Sequence, residues 1–186
     1  MSREYVCPWW MIHTFDNPAR RLFHKPEKML SSWVGAGDRV ADIGCGIGFF
    51  SLGLARMVGE TGRVYALDLQ EKMLAGVNKR ARRAGLEGRI ETRKVDGGDL
   101  LAGGLAGSLD MVLAFWMLHE VPDQAAFLGQ VRTLLKPGGL FLLAEPRFHV
   151  RAKAFEKSLA LAGEIGMQLK ERPEVRLSRA ALFAAA

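Results

Sequence analysis

Short apolar runs recur along this chain, and helix-period patterns fill the gaps between them. The runs near residues 39–44, 63–68, 90–95, 109–115 and 139–145 are rich in Val, Leu, Ile and Phe and lack clean alternation. That pattern predicts parallel strands covered on both faces. The intervals predict helices. The first starts at a glycine loop and stops near Gly59, and the second spans about 70–84 with a stripe of Met73, Val77, Ala81 and Ala84 before Gly85. A third opens with Pro122 and Asp123 in its first turn, buries Phe127, Val131 and Leu134, and ends at the Lys136-Pro-Gly-Gly139 turn. A fourth, over 151–166, runs through Phe155, Leu159 and Ala162, and two extended stretches follow, Gln168–Val175 and Leu177–Phe183. Strands alternating with helices make an α/β, doubly wound, parallel sheet with helices on both faces. No repeat, low-complexity segment or linker interrupts it. The stretch Asp96–Ser108 holds five glycines without periodicity and reads as a loop around a weak helical turn, or as a flap over a ligand.

The join between the first strand and the first helix carries the chemistry. In Arg39-Val-Ala-Asp-Ile-Gly-Cys-Gly-Ile-Gly-Phe-Phe, glycines at 44, 46 and 48 admit positive φ and leave no Cβ between backbone and ligand. The dinucleotide fingerprint G-x-G-x-x-G, counted from Gly44, needs glycine at position 49, where this chain has Phe49. Asp42 at the strand end would repel a pyrophosphate and attract an ammonium. Asp68 ends the second strand about twenty residues on, the position from which a carboxylate accepts both hydroxyls of a ribose. The third strand ends in Asp96-Gly97, an acid and a bare amide placed to meet an adenine edge. An ammonium, a ribose diol and an adenine together describe S-adenosylmethionine.

On these residues the chain resembles the class I S-adenosylmethionine-dependent methyltransferases. The resemblance runs from about Pro26 to the C-terminus, through Val40-Ala-Asp-Ile-Gly-Cys-Gly-Ile-Gly48, Ala66-Leu-Asp-Leu69, Asp96-Gly97, Leu109-Asp-Met-Val-Leu-Ala-Phe115 and Leu135-Lys-Pro-Gly-Gly-Leu-Phe-Leu-Leu143. It implies a single-domain, mostly parallel seven-stranded sheet closed by a C-terminal hairpin with one antiparallel strand. It also implies that the loop Asp42, Gly44, Cys45, Gly46 and Gly48 lines the methionine half of the cofactor. By the same likeness Asp68 grips the ribose, Leu69 and Met73 flank the adenine, Asp96 and Gly97 read its edge, and Phe115 and Trp116 lie near the sulfonium.

Composition narrows the rest. With 186 residues, 49% of them apolar, the chain can bury one core without disulfides or a metal. Its two cysteines, Cys7 and Cys45, make no disulfide framework and read as reduced thiols of a cytoplasmic protein. No targeting pattern precedes the domain, and the longest apolar run, around Met111–Leu118, is too short to span a bilayer. The net charge of +6 raises a nucleic-acid reading, and Lys79, Arg80, Arg82 and Arg83 concentrate part of it. They fall on the solvated side of the second helix, with no interleaved aromatics to stack bases, which argues against nucleic acid.

Residues 1–25 form an aromatic-rich leading segment, with Trp9, Trp10 and Phe15, that reads equally as a lid over an acceptor pocket or as packing against a helix or a second copy. Cys-Pro-Trp-Trp there is no metal motif, and no metal site is expected. After the fourth strand comes Phe115-Trp-Met-Leu-His-Glu-Val121, without the Asp/Asn-Pro-Pro-Tyr/Phe tetrad that related enzymes use on amino groups of bases or amides. A small-molecule acceptor offering oxygen, sulfur, carbon or a free amine remains. His119, with Glu120 beside it, is the candidate catalytic base if the acceptor carries a hydroxyl or thiol; a structural histidine reads as well. Glu145-Pro146 ends the fifth strand and either holds an acceptor hydroxyl or terminates the strand. His13, His24 and His149 show no metal spacing and receive no role. A nicotinamide-dependent oxidoreductase, an RNA methyltransferase and a non-catalytic S-adenosylmethionine-binding partner remain as alternatives.

Overall fold

A computed structural model describes residues 23–96, 99–100 and 104–186. They build a seven-stranded, mostly parallel sheet flanked by helices and closed by a C-terminal antiparallel pair. The chain divides into two compact units near residue 96.

The first unit contains α1 (Pro26–Leu30), β1 (Arg39–Ile43), α2 (Phe49–Met57), β2 (Arg63–Asp68), α3 (Glu71–Arg83) and β3 (Ile90–Lys94). Its strands lie in the order β3-β2-β1 and pair parallel, with Val40 beside Val64 and Val64 beside Ile90. Both β1 and β2 are buried along nearly their whole length, as unbroken apolar runs require of strands covered on both faces. Their carboxyl ends, Ile43 and Asp68, deliver the chain into the glycine loop and the turn before α3. The buried stripe of α3 is Met73, Leu74, Val77 and Ala81. Ala84, expected in that stripe, is exposed instead, because the helix ends at Arg83 and Ala84 caps it with an N–H shared among preceding carbonyls. Gly85 then turns the chain at φ 64°.

The second unit contains β4 (Leu109–Phe115), a 3-10 turn (Leu118–Glu120), α4 (Gln124–Leu134), β5 (Leu135–Pro146), α5 (Ala152–Glu164), β6 (Met167–Glu171) and β7 (Ser178–Ala185). The order is β4-β5-β7-β6, with β7 antiparallel to both neighbours. Asp123 caps α4 by accepting the Ala126 N–H at 2.9 Å. Phe141 and Phe183 stack across β5 and β7 with centroids 6.1 Å apart. The expected turn at Lys136–Gly139 is already part of β5. Leu109 pairs with Leu135 but Met111 pairs with Leu140, so the extra residues form an irregularity in the ladder, with Gly138 at φ 75°.

The aromatic residues Trp9, Trp10 and Phe15, together with Cys7 and Gly97, lie outside the described residues, as does part of the glycine-rich stretch after Asp96.

Candidate functional site

In the first unit the glycine loop takes the conformation its residues demand. Gly44, Gly46 and Gly48 sit at φ 68°, 54° and 85°. Successive left-handed positions turn the amides away from a helical ladder and would strain any L side chain. The loop is pinned to β2. The N–H groups of Gly44 and Cys45 both donate to the Leu67 carbonyl, at 2.9 and 3.1 Å, and the Gly46 N–H donates to Asp68 Oδ2 at 3.0 Å. Asp68 Oδ1 accepts the Gln70 N–H at 2.9 Å, so the carboxylate links the two loops that follow β1 and β2. Each carboxylate oxygen has capacity for a further donor.

Asp68 is 8% exposed, and burial raises its pKa above the ordinary carboxylate value, opposed by the amides of Gln70, Gly46 and Leu69. Cys45 is buried as well. Burial, reinforced by the charges of Asp42 and Asp68, raises its thiol pKa and keeps it protonated. Asp42 is 2% exposed and accepts the Ser51 hydroxyl at 2.5 Å, so this carboxylate also anchors the first turns of α2. Gly48 is needed for packing more than for ligand access: a Cβ there would lie 2.9 Å from Leu52 Cδ1 and 3.2 Å from both Val77 methyls. Leu69 is half-buried, Met73 is buried in the core and Asp96 is exposed.

Arg80 corrects the charge reading. It is half-buried and donates to the Ile47 carbonyl at 3.0 Å, supporting the glycine loop from α3 rather than joining a solvated basic face. A cavity of about 290 Å³ opens nearby, between Lys25, Phe49, Arg56 and Arg80. Asp68 does not line it, so it is not where a ribose would meet that carboxylate.

In the second unit the turn after β4 gathers Phe115, Trp116 and His119. Trp116 stands at φ 61°, in the left-handed region that costs a bulky residue of order 1–3 kcal/mol. Its N–H donates to the Ala144 carbonyl at 2.7 Å and its indole N–H to Ser178 Oγ at 2.8 Å. Phe115 lies 5.4 Å from the indole by centroid, and Phe148 meets it edge-on at 5.5 Å while remaining 69% exposed. His119 Nδ1 is 2.6 Å from Glu145 Oε2. The same carboxylate accepts the backbone N–H groups of Leu118 at 3.0 Å and His119 at 3.2 Å. Burial lowers the imidazole pKa, but the hydrogen bond to Glu145 and the charges of Glu145 and Glu120 outweigh it, so the net shift is upward.

The loop after β5 thus lies against the turn after β4 through two ring pairs, Trp116 with Phe148 and His119 with His149, the latter 4.7 Å apart. His149, Phe148 and Ser178 carried no local sequence pattern. Glu145 did, as a lone acid ending an apolar strand, and the structure turns it to His119.

A family model described as a methyltransferase domain matches residues 35–176. The chain belongs to this family. Among relatives of the methyltransferase family, a ubiquinone biosynthesis O-methyltransferase from Xanthomonas oryzae pv. oryzae (strain PXO99A) is 38% identical over 142 residues, covering 73% of this chain and 55% of that protein. A demethylmenaquinone methyltransferase from Lactobacillus johnsonii is 34% identical over 124 residues, covering 67% of this chain and 48% of that protein. The chain therefore spans about half the length of the curated relatives it matches. A crystal structure of a SAM dependent methyltransferase from Aquifex aeolicus superposes with a TM-score of 0.86 at 24% identity, covering 97% of this chain and 100% of that one. That likeness extends to the fold, a class I methyltransferase sheet with β7 as its antiparallel strand. Among the described residues, no helix is long and apolar enough to cross a membrane.

Proposed function

We propose that this methyltransferase domain binds S-adenosylmethionine and transfers its methyl group to a small-molecule acceptor. The observation that carries the reading is the Asp68 carboxylate, buried at the end of β2 and bonded to the Gly46 amide of a loop held at positive φ. The residues present fit the cofactor. Asp68 has lone pairs left for a ribose diol, the left-handed glycines leave backbone open at Gly44, and Asp42 supplies negative charge beneath the loop. Asp42, Gly44, Cys45 and Gly46 would hold the methionine half, with Gly48 packing the loop against Leu52 and Val77, Asp68 would hold the ribose, and Leu69, Met73, Asp96 and Gly97 the adenine. Phe115 and Trp116 would serve the sulfonium end.

The cofactor supplies an electrophilic methyl on a good leaving group, so the protein's task is alignment and, for a hydroxyl or thiol, proton removal. His119 is the residue for that removal. Its Nδ1 is engaged by Glu145, and its ring remains 19% exposed. As X–CH₃ forms, the S–CH₃ bond of the donor would break and S-adenosylhomocysteine would leave with its electron pair, while the acceptor's X–H proton would pass to the His119 imidazole. A small acceptor is favoured over RNA, since the relatives are named as ubiquinone and demethylmenaquinone methyltransferases and no aromatic side chain interleaves with Lys79, Arg80, Arg82 and Arg83 to stack a base. Incubating the protein with radiolabelled methyl donor and fractionated metabolite pools tests the proposal. Label should appear in a low-molecular-mass product; label only in RNA, or none with the donor bound, contradicts it.

A further inference from the structure

Glu145 is placed one residue before the end of β5, with Pro146 closing the strand, and it is 2% exposed. A buried carboxylate is costly unless its lone pairs are satisfied. Here two backbone donors and one ring nitrogen converge on it, all from the Leu118–Glu120 turn: Leu118 N–H on Oε1, and both His119 N–H and His119 Nδ1 on Oε2. The two backbone bonds are what a structural cap of a 3-10 turn requires, because the first amides of any helical turn lack partners. The bond to the ring, at 2.6 Å the shortest of the three, is not needed for that purpose.

We propose that Glu145 is a positioning residue that holds the His119 ring in the tautomer with hydrogen on Nδ1, leaving Nε2 as the proton-accepting atom. The inference rests on the proposed methyl transfer only for the origin of the proton; the tautomer stands on the geometry alone. A carboxylate is an acceptor, so the imidazole atom facing it is the one that carries hydrogen. Neutral imidazole has a single N–H, and fixing it at Nδ1 makes Nε2 a lone-pair atom. Across from Nε2 stands Glu120 Oε1 at 4.0 Å, beyond hydrogen-bond distance, so this second carboxylate does not compete for the proton. Because Glu145 also grips the His119 backbone, ring and main chain are fixed by one group. The ring is held against rotation about its side-chain bonds as well as against exchange of tautomer.

The charged and titratable groups around the ring come from four places. Glu145 lies on β5, Glu120 on the turn itself, and His149 on the loop after β5, its ring 4.7 Å from that of His119. Arg179 of β7 is the cross-strand partner of Glu145 and shares its face of the sheet. The two carboxylates favour imidazolium. A base of this kind suits an acceptor whose nucleophile carries a removable proton, a hydroxyl or a thiol, and offers nothing to a nucleophile without one.

Long-range proton–nitrogen correlation spectra of the full ¹⁵N-labelled chain, followed through a pH titration, test the proposal without any donor or acceptor. The wild-type protein should show neutral His119 as the Nδ1–H tautomer with a pKa above the ordinary histidine value. In Glu145→Gln the negative charge is lost, so the pKa should fall, and the amide, with one acceptor oxygen where the carboxylate had two, should weaken the Nδ1–H preference, while thermal melting reports the separate loss of the cap. Glu145→Asp, which restores the charge, should return the tautomer toward wild type. An Nε2–H tautomer in the wild type, or a tautomer and pKa indifferent to Glu145→Gln, overturns the proposal. If Glu145→Gln does not fold, the wild-type tautomer decides alone: Nδ1–H supports the proposal and Nε2–H overturns it. A tautomer as expected in a protein that fails to bind S-adenosylhomocysteine would leave Glu145 in place and remove the methyl-transfer reading instead.

Discussion

At the scale of single residues, Gly46 and Gly48, two apart in one loop, do different work. Gly46 sits at φ 54° with its amide on Asp68, where a β-branched side chain resists the backbone conformation and intrudes on ligand space. Gly46→Val should abolish S-adenosylhomocysteine binding while the fold persists, read by calorimetry beside circular dichroism; normal binding would make the loop only a turn. Gly48 is walled by Leu52 and Val77, so Gly48→Ala should lower unfolding free energy by about 1–3 kcal/mol. His119 gives a pH signature with a defined sign. Its folded pKa is raised, so its contribution to stability is complete below the unfolded value and is lost as pH rises through the folded value. Denaturant unfolding of wild type and His119→Gln from about pH 5.5 to about pH 8.5, a span that brackets the ordinary histidine value, should therefore show the wild-type advantage shrinking with increasing pH. A depressed pKa would give the opposite trend.

At the scale of elements, Gly53 sets the approach of α1 to α2. A Cβ at that position would overlap Pro26, so the two helices come this close only because α2 carries no side chain there. Gly53→Val should destabilise the protein by about 1–3 kcal/mol through overpacking, and a thermal melt checks it. Helix and strand positions were legible because period and burial agree: Met73, Val77 and Ala81 form the predicted stripe, and β2 and β4 occupy the predicted 63–68 and 109–115. Ends were less legible. Ala84 fell outside α3, and Lys136–Gly139 joined β5, because capping and register shifts depend on tertiary partners absent from a local window. That the glycine loop and Asp68 lie together was readable since the motif is contiguous and its acid closes the next strand. His149, Phe148 and Ser178 were not. They meet His119 and Trp116 only through the side-by-side placement of β4, β5 and β7, and the role of Arg80 was hidden because its reach to Ile47 crosses from α3 to another loop.

At the scale of the whole molecule, the proposal divides the labour. The first unit carries the glycine loop and Asp68 for the donor, and the second carries the His119 and Glu145 pair for the acceptor's proton. The aromatic residues before Asp16 belong to neither assignment. Deleting residues 1–16 should leave S-adenosylhomocysteine affinity within about tenfold and abolish transfer, as expected for a segment that excludes water and orients the acceptor. Equal loss of both would place the segment in the cofactor site or the folding core. The central claim is that Asp68 binds the ribose of S-adenosylmethionine, and one titration addresses it: S-adenosylhomocysteine into wild type and Asp68→Ala by calorimetry, with NAD as the competing ligand. Saturable binding of S-adenosylhomocysteine but not NAD, weakened by roughly 1.5–3 kcal/mol in a folded Asp68→Ala, is the predicted result. Binding of NAD in its place, or an affinity for S-adenosylhomocysteine unchanged by the substitution, would contradict it.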